Sequence, residues 1–167
     1  MRILAFDQAT RVSGWAIFQD GQYIDSGVID LQNIRDTGER TKQMGIELCN
    51  KIAEVAPNLV VIEEVQNQSN TSTVIKLARL QGMVLGFAAA HKIKTDIFEP
   101  THWRKICGHK QGPKIKREGL KQQSVDYVKK NFGFEFSEDR CEAICIGDAA
   151  CKIYKFASEN NEIDIEI

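Results

Sequence analysis

The sequence predicts an α/β domain on a five-stranded mixed sheet, with strands 1–3 antiparallel, strands 4 and 5 parallel to strand 1, and helices flanking the sheet. Three observations carry this reading. Ile3 to Phe18, ILAFDQATRVSGWAIF, holds two apolar runs separated by a short polar turn, the pattern of paired antiparallel strands. Asp20-Gly21 is a strong hairpin signal and leads into a third strand over Tyr23 to Leu31. Beyond it, helical periods alternate with short β-branched runs, and a strand reached through a helix is usually parallel to its neighbour.

The elements follow in order. Gln8 to Ser13 supplies turn residues, and Gly14 before Trp15 marks a close backbone approach or a bulge. Thr37 to Ala56 has a helical period through Met44, Leu48, Cys49, Ile52, Ala53 and Ala56, and Pro57-Asn58 stops it. Leu59 to Ile62 is a wholly apolar strand ending in Glu63-Glu64, and Gln66 to Ser72 is a polar linker. Thr73 to His91 is a long apolar helix. Its Gly82-x-x-x-Gly86 costs helix propensity, for which close packing against a neighbour, such as a second subunit, is the expected return. Ile93 to Glu99 is the fifth strand, closed by Pro100. Thr101 to Arg117, with Gly108, Gly112 and Pro113 among basic residues, reads as a mobile loop. Lys116 to Asn131 is a helix with Val125 and Val128 inside, Phe132 to Phe136 an aromatic turn, and Glu138 to Phe156 the last helix.

The chain has 167 residues, enough for one domain with a sizeable core, placed at 1–157 with an acidic tail at 158–167. Charge is nearly balanced, 22 basic against 23 acidic side chains, so bulk charge names no partner. Its distribution is more informative. Arg104 to Lys130 carries nine Lys/Arg against Glu118 and Asp126, a basic arm that fits a polyanion on one face. There is no basic-then-apolar leader and no run of about 18 apolar residues, which predicts a cytoplasmic protein without a membrane span. The five cysteines form an odd, unpatterned set and read as reduced thiols. Neither His102, Cys107 and His109 nor Cys141, Cys145 and Cys151 has tight four-ligand zinc spacing, and Cys145 and Cys151 read as packing residues.

The acids carry the chemistry. Asp7 ends the first strand, where a lone carboxylate is usually a turn cap, yet the fourth strand brings Glu63 to the same edge of the sheet. On a wheel of about 100° per residue, Asp139 and Glu142 share a face of the last helix with Ala143, Ile146, Ala149, Ala150 and Ile153. Asp148 turns the other way with Ile144 and Lys152. Four carboxylates cannot lie together ionised without counter-charge, and a hard divalent cation supplies it. Two such ions about 4 Å apart can activate water and stabilise a leaving oxygen in phosphodiester hydrolysis.

At this point the chain resembles the RuvC-type Holliday junction resolvases of the ribonuclease H-like superfamily, most of all their smaller phage or prophage members. The resemblance rests on ILAFDQATRVSGWAIF, PNLVVIEEVQNQSNTSTVIKLARLQG and SEDRCEAICIGDAA, in that order. It implies that Asp7, Glu63, Asp139 and Glu142 are catalytic metal ligands for Mg²⁺, with Mn²⁺ as a substitute and two ions per site. Glu142 stands where the family usually has Asp, and Glu64 where it often has Gln. Lys121 falls at a functional lysine near the cleaved phosphate, and the other active-site cation is Lys105, with Arg104 as its rival. The resemblance further implies a homodimer that resolves four-way DNA junctions by symmetric paired nicks.

On that footing Arg104, Lys105, Lys110, Lys114, Lys116, Arg117 and Lys121 are DNA-phosphate contacts, giving affinity without reading bases. Trp103 is core or a stacking surface, with core preferred. Gln68 to Thr71 sits where a loop enters a junction centre, but lacks an aromatic residue to stack there. Three competing readings remain: a branched-DNA or flap endonuclease on the same fold, a non-catalytic junction binder, and an actin- or sugar-kinase-like ATP-binding protein. The last normally needs two such domains, and the second has no use for four acids.

Overall fold

Alternation along the first strand sets up the whole fold. The fold is described from a computed structural model for residues 1–66 and 70–160, side chains included up to Tyr154. Strand β1 (Arg2–Asp7) sends Ile3 and Ala5 into one apolar layer and Leu4 and Phe6 into the other, since successive side chains point to opposite faces. It is therefore the central strand of a sheet ordered β3-β2-β1-β4-β5. Strands β2 (Val12–Gln19) and β3 (Gln22–Asp30) complete an antiparallel meander. Strands β4 (Leu59–Glu63) and β5 (Lys94–Phe98) run parallel to β1. The mixed sheet expected from the sequence is the one observed.

Each face carries helices. Helix α1 (Thr37–Val55) buries Met44, Leu48, Ile52 and Val55 against Leu4, Phe6, Val60 and Ile62. Each such side chain contributes about 1.5–3 kcal/mol on burial. Asp36 caps α1 by accepting from the Glu39 N–H, and Ala56, in the left-handed region at φ 47°, ends it ahead of Pro57. Helix α2 (Thr71–Ala90) joins this layer but buries only Leu80, Val84 and Ala88. A Cβ at Gly82 or Gly86 would meet nothing within 4 Å, so the neighbour expected at those glycines does not come from the described residues of this chain.

The opposite face holds α3 (Pro100–Ile106), α4 (Arg117–Phe132) and α5 (Glu138–Asn160). Two corrections arise here. The segment read as a basic loop begins with helix α3, which starts on Pro100, a favoured first helical residue, and is anchored by fully buried Trp103. Its run of cationic and polar residues hides a single large anchor. Further along that segment, Gln123 of α4 pairs with both backbone groups of Lys110. The second correction concerns α5, which is buried nearly all round. Ile144, expected on the side away from the core, is fully buried beneath α4, and Asp148 accepts from Tyr127 and pairs with Lys152. Residues 161–167 of the expected acidic tail, and 67–69 of the expected wedge segment, lie outside the described residues.

The close approach expected at Gly14 is real. Gly14 pairs with Asp7 in the β1–β2 ladder, and the α5 backbone passes directly over it. A Cβ at Gly14 would lie 2.0 Å from the Asp139 carbonyl oxygen. Missing bulk at this one residue thus lets the start of α5 settle onto the end of β1. Gly14→Ala should cost about 1–3 kcal/mol through overpacking, read as a fall of several degrees in Tm; an unchanged Tm would show that α5 is not seated this closely.

Candidate active site

Parallel pairing of β1 with β4 puts their carboxyl ends side by side, with Phe6 opposite Ile62 and the next residues, Asp7 and Glu63, emerging together. The first turn of α5 lies over this edge and adds Asp139 and Glu142. One carboxylate oxygen from each of Asp7, Asp139 and Glu142 falls within a group 4.8 Å across. Glu63 stands at the side of this trio and lines the same cleft of about 410 Å³. The four acids expected from the sequence therefore share one cleft, three of them at ligand spacing.

Two cations and one indole hold the acids. Trp103 Nε1 donates to Glu63 Oε1 at 2.9 Å, so the residue read as core is core and also fixes a cleft carboxylate. Arg104 reaches Glu63 at 3.7 Å and Glu142 at 3.5 Å. His109 packs edge-on against Trp103 from behind, and burial, then the Arg104 charge, lowers its pKa to about 4. Its ring is consequently neutral near pH 7 and adds no repulsion to Arg104. Lys121 donates to Glu138 at 2.9 Å and to Asp139 at 3.5 Å. Of the two rival cations on α3, Arg104 lines the cleft, whereas Lys105 is exposed and outside its lining. Arg117 lines the cleft, whereas Lys110, Lys114 and Lys116 are exposed on the α3–α4 connection and α4 cap.

Sequence reasoning missed Gln8. This buried side chain donates to the Glu63 carbonyl at 2.5 Å and accepts from the Glu63 N–H at 3.2 Å. Its only signal in the sequence is its place beside Asp7. The reading also missed the rim formed by Thr10, Arg11 and Gln32 on one side and Thr73 and Leu77 on the other. These come from turns and a helix start that carry no recognisable pattern.

Burial raises the Asp7 pKa well above the ordinary aspartate value, and the charges of Glu142, Glu63 and Asp139 push it further against the opposing effect of Lys121. Glu63 and Glu142 are also shifted upward, chiefly by burial, with Arg104 opposing in both cases. For Lys121, burial lowers the pKa, but the Glu138 hydrogen bond and neighbouring carboxylates outweigh it and the net shift is upward. An all-oxygen donor set with this unmet demand for positive charge fits a hard divalent cation. Asp7, Asp139 and Glu142 are the residues that would hold it, with Glu63 beside them.

Comparison with known proteins adds the following. The family model "Crossover junction endodeoxyribonuclease RuvC" matches residues 3–118. Relatives of that description include one from Hydrogenovibrio crunogenus, 32% identical over 104 residues, covering 60% of each chain. A Legionella pneumophila relative is 28% identical over 96 residues, or 55% of each chain. The match thus spans less than two thirds of these relatives' length. One from Bifidobacterium longum is 26% identical over 151 residues, covering 87% of this chain and 78% of its own. Among solved structures, Thermus thermophilus RuvC in complex with a Holliday junction substrate superposes with TM-score 0.71 at 13% identity, covering 93% of this chain and 96% of that one. The yeast mitochondrial Holliday junction resolvase Ydc2 gives 0.62 at 14%, covering 96% and 81%. At such identities these structures establish the fold.

The raised Asp7 pKa makes a stability prediction. Below the ordinary aspartate pKa the residue is protonated folded or unfolded, and no penalty arises. As pH rises through the higher folded value, ionisation costs the folded state more than the unfolded one, so stability from this group is lost. In EDTA, Asp7→Asn should therefore melt above the unaltered protein, by about 2–4 °C for each kcal/mol relieved. The difference should widen from pH 5 to pH 8 in a thermal melt; a variant that melts lower at pH 8 would contradict it.

Proposed function

The chain belongs to the RuvC family of crossover junction endodeoxyribonucleases, and from that premise we propose that it is a metal-dependent endonuclease resolving four-way DNA junctions by paired nicks. The observation that carries this is the convergence of Asp7, Asp139 and Glu142 oxygens within 4.8 Å, next to Glu63, in an open cleft with cations on its walls. Bound Mg²⁺ or Mn²⁺, as one or two ions, would supply activated water and charge stabilisation at the phosphorus. The chain's own residues do the rest. Glu63 is held by Trp103 and the Glu63 backbone by Gln8, so that carboxylate is fixed before DNA arrives. Arg104 and Lys121 lie beside the acids and can face a phosphate there, while Arg117 and the exposed Lys105, Lys110, Lys114 and Lys116 extend the positive surface along a strand. We assign Asp7, Glu63, Asp139 and Glu142 as ligands and Arg104 with Lys121 as the cleft cations.

The working form is a homodimer, on this reading, through α2. That helix is long and apolar enough by composition to cross a membrane, yet it buries only three side chains and leaves Ile75 nearly half exposed. A second copy accounts for the uncovered face better than lipid does, because Lys76 and Arg79 interrupt it and its N-terminal turn lines the cleft through Thr73 and Leu77. Two cleft-bearing subunits joined here would address two strands of one junction. Such an enzyme works where branched DNA is, in the cytoplasm of a bacterial cell.

Two measurements test these statements. In Mg²⁺, the protein should nick mobile four-way junctions far faster than flaps or duplex. Asp7→Asn and Arg104→Ala should lose about 10²-fold or more in rate, Asp7→Asn should keep junction binding, and Lys105→Ala should change rate only slightly. Equal cutting of all three substrates would favour the broader branched-DNA nuclease, and full activity in Asp7→Asn would remove Asp7 from the site. Sedimentation should show a dimer at micromolar concentration and a monomer for Ile75→Glu; a monomer in both cases would reject the α2 interface.

A further inference from the structure

The acids that matter most to the cleft sit on two strands whose ends are tied outward, away from each other. The Asp7 backbone is registered to β2, opposite Gly14, and the Glu63 backbone to β5, opposite Phe98. Between β1 and β4 the backbone ladder ends one step earlier, with Phe6 opposite Ile62. At the level of the carboxylates, the side chain of Gln8 bridges the two strands. Its Oε1 accepts from the Glu63 N–H at 3.2 Å and its Nε2 donates to the Glu63 C=O at 2.5 Å. A carboxamide used in this way copies a peptide group and extends the ladder by one rung.

This arrangement is costly to abandon. Gln8 is buried, so removing its amide leaves a backbone N–H and C=O of Glu63 without their partners in a confined place. It also releases the one side-chain bridge between β1 and β4 among the described residues at the level of two acids that repel. Glu63 would keep Trp103 and Arg104, both on α3, and neither contact ties it to β1. We propose that Gln8 is a positioning residue for cation binding, setting the separation of the Glu63 and Asp7 carboxylates by acting through the Glu63 backbone. The inference rests on the nuclease reading above only in taking those carboxylates to be ligands.

The test is Mn²⁺ binding to the DNA-free protein, followed by the EPR signal of the free ion. Gln8→Met keeps length and apolar bulk but loses both hydrogen bonds, and its Mn²⁺ dissociation constant should rise about tenfold or more, the size seen when partners that orient a metal ligand are lost. Junction affinity in EDTA should stay within about twofold, since Gln8 contributes no charge to the DNA surface, and nicking should recover at saturating Mn²⁺. Leu48→Ala, which loosens the core on the α1 side without touching the cleft, should lower Tm and keep Mn²⁺ affinity. Folded Gln8→Met with unaltered Mn²⁺ affinity would overturn the proposal. Where Gln8→Met does not fold, Gln8→Asn, an amide one methylene too short to reach, carries the same comparison; failure of both to fold would make Gln8 a stability residue and equally overturn it. If the nuclease reading itself is wrong, the unaltered protein will leave junctions intact, and the comparison of Mn²⁺ affinities remains readable.

Discussion

Mutual repulsion among buried carboxylates is the constraint on which the rest of this structure depends. Asp7, Asp139 and Glu142 bring oxygens within 4.8 Å of one another, and burial of Asp7 and Glu142 removes much of the water that would otherwise screen them. The surrounding contacts answer that one difficulty. Arg104 spans Glu63 and Glu142, Lys121 reaches Asp139, and Trp103 donates to Glu63. Gly14 supplies the missing bulk that lets α5 deliver its two acids onto the end of β1. Without a sheet that packs helices on both faces, no surface would be stiff enough to hold such groups together. The apolar alternation of β1, with Ile3 and Ala5 on one side and Leu4 and Phe6 on the other, is what makes that stiffness available.

Much of this was legible in the sequence because it follows from period and topology. Alternating or continuous apolar runs identify all five strands, and the helix between β3 and β4 makes β4 parallel, which brings Glu63 beside Asp7. The three-residue interval between Asp139 and Glu142 puts both on one side of α5. Other features resisted reading for physical reasons. Helix α3 is seven residues long and depends on one buried anchor, Trp103, so no periodicity can show it. Burial of Ile144 depends on where α4 packs, which is a tertiary fact outside the helix itself. The choice between Arg104 and Lys105 depends on the angle at which α3 docks. A rotation of one residue, about 100°, exchanges a cleft side chain for an exposed one, and sequence spacing cannot fix that angle. Gln8 is invisible for a related reason: a side chain that substitutes for backbone has no pattern of its own.

The two helical layers serve different ends. On one side α5 is buried nearly all round beneath α3 and α4, and that layer contributes Asp139, Glu142, Arg104 and Lys121. On the other side α2 is only partly covered, yet its first turns supply Thr73 and Leu77 to the cleft rim. The uncovered face of α2 and the cleft rim thus belong to one helix. Any protein packed against Ile75 or alongside Gly82 and Gly86 would press on the same helix whose start borders the carboxylates. On the dimer reading, one helix would carry both the subunit contact and part of the cleft rim.

Arg104 and Lys121 show why a site of this kind holds its own cations. Arg104 lies within 4 Å of Glu63 and Glu142, which burial shifts toward the protonated form, and in both its charge works against that shift; Lys121 lies within 4 Å of Asp139 and Glu138. The folded chain is therefore tolerable before any external ion binds. The same contacts set up a competition. Positive charge entering the trio would satisfy Asp139 and Glu142 and weaken their hold on Lys121 and Arg104, which keep Glu138 and Glu63 as partners on the walls of the cleft. On the nuclease reading, binding of the ion and capture of the substrate are linked through residues that belong to neither alone, and the link needs no movement larger than a change of partner by two side chains.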